Sequence, residues 1–106
     1  MKPPNADAAQ IAPEKIEGYL LPESHPVGRS KARFFRSLGF RREEAGALRL
    51  ELLRIAGEGE ASLVQTQFGS KYLVDGVLVG RLRSANVRTV WILEGERPRF
   101  VTAYPV

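Results

Sequence analysis

At Gly59 the chain changes its hydrophobic period, and that change constrains the fold more than any other feature. Before it, "RREEAGALRLELLRIAG" (41–57) sets Ala45, Leu48, Leu52 and Ile55 at three- and four-residue spacing, with Glu44 and Arg49 off the stripe. That is the pattern of an amphipathic helix ended by Gly57 and Gly59. After it the period is two. "ASLVQTQF" (61–68), "KYLVDGVLV" (71–79), "NVRTVWIL" (86–93) and "RFVTAYPV" (99–106) read as four strands. The linkers "GS", "GRLRSA" and "EGERP" are short enough for hairpins, so the strands form an antiparallel meander in sequence order. A further helix is expected from Arg29 or Ser30 to about Leu38, with Ser30 as N-cap and Gly39 just past its end. The expected fold is therefore α+β: two N-terminal helices packed on a four-stranded antiparallel β-sheet meander, one sheet face covered and the other open.

The remaining segments are less regular. Residues 1–12, with Pro3, Pro4, Asn5 and Asp7 among alanines, are expected as a disordered tail, leaving 13–106 as a single domain. "EKIEGYLL" (14–21) reads as a short extended or turn-like segment ending at Pro22. No apolar run approaches the roughly 18 residues of a membrane span, and "MKPPNADAAQIAPEK" has no apolar core of a secretory signal. Cysteine is absent, which removes disulfides and thiolate metal sites and fits a reducing cytoplasm. A single histidine argues against a protein-built zinc site, so neither metal nor other cofactor is expected.

Charge points to a partner. Sixteen Lys and Arg stand against twelve Asp and Glu, a net +4. The basic residues cluster: Arg29, Lys31, Arg33, Arg36, Arg41 and Arg42 in one group, Arg81, Arg83 and Arg88 in another. Such a footprint suits a polyanion, against the plainer reading of a solvated basic face. Within the helix at 30–38, Phe34, Phe35 and Leu38 share a stripe headed by Lys31, while Arg29, Arg33 and Arg36 lie opposite. A lysine on an apolar face either reaches past the rim or meets an anion. The only histidine, His25, sits in the loop that feeds this helix, so His25 and Lys31 are expected to border one pocket near a helix N-terminus. The plainer reading of His25, ahead of Pro26, is a turn residue.

The strings "YLL", "HPVGRSKARFFRSLGF", "FGSKYLVDG" and "VRTVWILEGERPRFVTAYPV" together resemble a small bacterial domain family with a His-Pro-Gly loop, a "KARFF" helix, "RTVW" and a terminal "TAYP", over roughly residues 14–106. Domains of that kind are associated with small partner proteins or with bacterial toxins. The layout also resembles the barnase–EndoU–colicin–RelE (BECR) ribonuclease toxins of toxin–antitoxin systems, a likeness of architecture and residue types.

That resemblance implies a metal-independent ribonuclease, which needs a base for the 2′-hydroxyl, an acid for the leaving 5′-oxygen and cations around the phosphorane. His25 is then the base or acid, Lys31 and Arg88 hold the phosphate, and Thr102 and Tyr104, two apart on the last strand, hydrogen-bond it, with Tyr104 able to stack on a base. Arg29, Arg33, Arg36, Lys71 and Arg83 are the candidate RNA-binding residues. Arg88 shares its strand face with Val90 and Ile92, and Thr89 with Trp91; which face the helices cover is left open by the sequence. Trp91, Phe68, Phe100 and Tyr72 read as core, and Asp75, Glu94 and Glu96 as ordinary carboxylates near turns. The expected function is that of a cytoplasmic toxin acting on RNA, paired with a small acidic antitoxin protein and without a membrane. The alternatives are a non-catalytic RNA- or protein-binding module, or an inactive accessory component of such a pair. With sequential strand order, the strands at 61–68 and 99–106 form the edges. The latter is expected to dock the acidic partner over Thr102 and Tyr104, or else to pair edge to edge as a homodimer.

Overall fold

The structure, a computed structural model, describes residues 2–21, 29–67 and 69–106; His25 and Phe68 lie outside the described residues, and Arg29 and Ser30 are described as backbone only. The four strands are β1 (Glu60–Thr66), β2 (Gly69–Val79), β3 (Ser84–Glu94) and β4 (Arg97–Pro105). They pair antiparallel in the order β1-β2-β3-β4, the expected meander. Among the described residues, a 3-10 turn at Ala6–Ala8 and three longer helical elements precede them. In α1, a turn at Pro13–Lys15 widens into the π-helical Ile16–Leu20; α2 is Arg29–Ser37; α3 is Ala45–Glu58, entered through a 3-10 turn at Arg42–Glu44.

Each helix is fixed by what it buries. Along α3, Leu48, Leu52, Ile55 and Ala56 face the sheet. Gly76 of β2 lets Ile55 approach, since a Cβ there would lie 3.1 Å from the Ile55 side chain. Ala32, Phe35 and Leu38 are the buried stripe of α2, while Phe34 is half-buried, its ring edge-on to Phe35. Gly39, at φ 109°, ends α2 in a left-handed turn in which Gly39 N–H bonds Arg36 C=O and Phe40 N–H bonds Phe35 C=O. This is the Schellman arrangement.

The segment at 14–21 is helical rather than extended. Pro13 is pre-set for the first turn, and Ile16 and Leu20, four apart, bury one face together with Leu21. Residues 2–12 also depart from the expected tail, because backbone pairing and one apolar side chain hold them against β4. Gln10 N–H donates to Pro98 C=O and accepts at its own C=O from Phe100 N–H, both at 2.9 Å. Ile11 is only 5% exposed.

Register decides the question of faces. Val74 opposes Thr89, and Thr89 opposes Ala103; Tyr72 opposes Trp91, and Trp91 opposes Phe100. All six are buried, so these positions form the covered face. Trp91 and Phe100 meet edge to face at 5.3 Å. Buried Thr89 accepts from Trp91 Nε1 at 2.7 Å and donates to Val74 C=O at 2.8 Å, so both polar groups are satisfied within the core. Alternation then sends Lys71, Leu73 and Asp75 of β2, Arg88, Val90 and Ile92 of β3, and Thr102 and Tyr104 of β4 to the other face.

Candidate functional site

One row of the open face crosses all four strands: Glu60 opposes Asp75, Asp75 opposes Arg88, and Arg88 opposes Tyr104. The next row sets Leu73, Val90 and Thr102 side by side. A register shift between Val90 and Trp91, matched by an extra residue in β4, bends the strand where Thr102 emerges. Two elements outside the sheet reach this end of it. From α1, the Tyr19 hydroxyl lies 3.4 Å from Thr102 Oγ1. From α2, Lys31 Nζ donates to Ala103 C=O at 3.4 Å and sits 5.3 Å from the centre of the Tyr104 ring. Cation and ring are close enough for a cation–π attraction. The half-buried Lys31 therefore heads the apolar stripe of α2 and reaches past the rim of the core.

Of the expected set, Lys31, Thr102 and Tyr104 come together, with Arg88 beside Tyr104. Arg88 is already engaged: its Nε and an Nη donate to the two carboxylate oxygens of Asp75 at 2.7 and 2.8 Å. This bidentate pair raises the Arg88 guanidinium above its ordinary range, Tyr104 adding a smaller contribution. The same bonds hold the Asp75 carboxyl below the usual carboxylate range, against the opposing effect of its partial burial. Asp75 is thus not a turn residue but the mid-strand partner of Arg88.

The candidate RNA-binding residues do not form one patch. Arg33 is exposed on α2, whereas Arg36 is half-buried and donates to Leu21 C=O at 3.3 Å. Arg83 donates to Ser37 Oγ at 2.8 Å, at the β2–β3 turn. Lys71 lies at the opposite end of β2, roughly 26 Å away along an extended strand. The expectation that His25 and Lys31 border one pocket falls on a residue outside the described ones, as does that for Phe68 as core; the side chain of Arg29 is likewise undescribed.

Sequence reasoning missed Tyr19 and Asp75. Tyr19 belongs to a segment not read as helical, although Ile16 and Leu20 at i and i+4 carried that signal. The role of Asp75 depends on the β2–β3 register, which closes at Val79 and Ser84 and so sets Asp75 opposite Arg88. Among the described residues, no group of three or more His, Cys, Asp or Glu is arranged to hold a metal ion.

The edge expected to receive a partner is partly occupied. Gln10 pairs with β4 at Pro98 and Phe100, and Lys31 takes Ala103 C=O. An acidic partner docking as an added strand along 99–106 thus meets the chain's own N-terminal segment, and the expectation of a free β4 edge is corrected accordingly. No helix of the described residues is long and apolar enough to cross a membrane.

An α+β domain with basic and hydroxyl groups gathered at one end of an open antiparallel sheet is the class that these observations define. Residues 2–106 match the family described as "Domain of unknown function (DUF6883)", and the chain belongs to that family. Among solved structures, it is similar to a chain of a contact-dependent growth inhibition toxin–immunity protein complex from Klebsiella pneumoniae 342, with a TM-score of 0.70 and 15% sequence identity over 94% of this chain and 95% of that one. At that identity the likeness is one of fold. No curated protein matches the sequence.

Proposed function

We propose that this domain is a toxin that cleaves RNA without a metal ion and is neutralised by an acidic protein partner. The observation that carries this reading is the gathering of Lys31, Tyr19, Thr102 and Tyr104 at one end of the open sheet. The full-length fold likeness to a chain of a toxin–immunity complex supports it, as does the net charge of +4. In the reaction, the RNA 2′-oxygen attacks phosphorus as its proton passes to a base. The P–O5′ bond then breaks, leaving a 2′,3′-cyclic phosphate and a 5′-oxygen that takes its proton from water. Lys31 neutralises the charge that develops on the non-bridging oxygens, and Thr102 and Tyr104 donate hydrogen bonds to them. His25, the only side chain whose ordinary pKa lies near neutrality, is assigned as the base. The acidic partner covers this cluster from the open face rather than by extending β4.

The Arg88–Asp75 pair favours a second reading, a non-catalytic module that binds RNA or protein, because it takes up the cation best shaped for a phosphate. Cleavage of single-stranded RNA in EDTA separates the two. Wild-type protein is expected to cleave, His25→Ala to lose about 10²–10⁴-fold, and Lys31→Ala about 10²–10³-fold by analogy with loss of one oxyanion donor. Binding without cleavage selects the module. Cleavage at full rate by both variants ends the site assignment.

A further inference from the structure

The open face continues past the Thr102 row into a cleft of about 620 Å³ whose floor is Val90, Ile92 and Val101 and whose rim carries Lys15, Lys71 and Arg99. That volume lies within the range of small-molecule sites. The cleft and the Lys31 cluster are parts of one surface. Val90 is the register partner of Thr102, and Lys71, Ile92 and Arg99 form the row beyond. From Arg88 to Ile92 along β3 is roughly 13 Å at strand rise.

One helix ties the two ends together. Lys15 and Tyr19 stand four residues apart on α1, so they project from the same side. Tyr19 reaches Thr102, while Lys15 reaches the cleft, its Nζ lying 5.6 Å from the centre of the Tyr19 ring. The charges on the rim are unequal. Arg99 is paired with Glu94. Neither Lys15 nor Lys71 has a carboxylate partner among the described residues. Two unpaired ammonium groups above a floor of branched aliphatic side chains suit an anion joined to a flat apolar body. They do not suit a purely ionic ligand, which would gain nothing from Val90, Ile92 and Val101.

We infer that this cleft holds a nucleotide flanking the scissile bond of a single-stranded RNA, its base laid over Val90, Ile92 and Val101 and its phosphate between Lys15 and Lys71. The inference rests on the proposed RNA substrate and extends it by giving the strand a direction, from the Lys31 cluster along β3 and β4 toward the β1–β2 hairpin. Lys15 and Lys71 act in binding, and neither touches the reacting phosphate.

The test uses a fluorescently labelled ten-nucleotide 2′-O-methyl RNA, which has no hydroxyl to attack, in EDTA, with the wild-type chain, K15E/K71E and Lys31→Ala. Melting of each variant is followed in parallel to show that it is folded. The double reversal is expected to weaken binding at least tenfold and to flatten the logarithmic salt slope by roughly 1.4, the loss of two contacts on a single strand. Undiminished affinity in K15E/K71E, with binding weakened in Lys31→Ala, overturns the cleft assignment and leaves the RNA reading standing. A wild-type chain that does not bind the RNA overturns both. Preference of the wild-type chain for a glutamate-rich peptide over the RNA, lost in K15E/K71E, makes the cleft a peptide site and overturns the nucleotide.

Discussion

Along β4, the outer edge of the sheet is partly covered by pieces of the same chain: Gln10 exchanges two backbone hydrogen bonds with Pro98 and Phe100, and Lys31 caps Ala103 C=O. Along β1, Ser62 to Thr66 are all exposed, including Leu63 at 44% and Val64 at 38%. The stretch of β2 that runs past the start of β1 resembles β4. There Val79 N–H donates to a Glu51 carboxylate oxygen at 2.9 Å and Val77 C=O accepts from Arg54 at 2.6 Å, so α3 supplies what a neighbouring strand would have supplied. An unprotected edge is a template for another chain. The contrast shows that protection follows reach: the N-terminal segment and α3 seal the edges they lie beside, and β1 leaves α3 at Gly59 and runs beyond it.

The largest effect is expected where the β4 cover is anchored. Ile11→Ala removes most of a buried aliphatic side chain next to the Gln10 bridge and is expected to cost about 2–4 kcal/mol in urea unfolding. Exchange of the Phe100 amide, which donates to Gln10, should accelerate more than that of core amides in β3. A cost below about 0.5 kcal/mol would mean that residues 2–12 do not hold this edge.

A smaller effect is expected at the α3 latch. Glu51→Ala takes the acceptor from Val79 N–H and a partner from Arg54, for about 1 kcal/mol, since water reaches the exposed Val79. The wild-type contribution depends on pH. The Arg54 hydrogen bond first, then Val79 N–H, hold the Glu51 carboxyl below its ordinary range against partial desolvation. A carboxyl lowered by folding stabilises fully above its unfolded value, near 4.3, and loses that contribution as the pH falls through the folded one. The difference between wild type and E51A should therefore be complete at pH 6 and shrink below about pH 4. A pH-independent difference would assign it to lost packing.

These edges also mark what the sequence made legible. The four strands and their order follow from the period change at Gly59 and from linkers too short for crossovers, and Gly39 announced the end of α2. Bonds made by the backbone alone leave no such trace. Gln10 seals β4 through its main chain, so nothing in "NADAAQIA" apart from Ile11 advertised it. The eight residues of "EKIEGYLL" carry too few apolar positions for a period to stand out, and with that helix unread, Tyr19 and Lys15 were missed at the site. Lys31, Thr102 and Tyr104 were visible because their neighbours set their faces. The engagement of Arg88 was not, because it depends on Asp75 lying directly opposite on the adjacent strand, a matter of register rather than of composition.

The smallest effect is expected at β1, and its smallness is the point. Leu63 lies on the helix side of the sheet by alternation, yet at 44% exposure it has little of α3 over it, so Leu63→Lys should leave the melting free energy within about 0.5 kcal/mol. The same substitution puts a charge in the middle of an otherwise uncharged Ala61–Thr66 edge, where any added strand must desolvate it. Sedimentation at rising concentration, with turbidity on heating, reads that second effect. L63K should associate less than wild type while melting alike, which would place the liability of this sheet on β1 alone. A cost above about 1 kcal/mol would show instead that β1 is packed as closely as β4, and the contrast between the two edges would disappear.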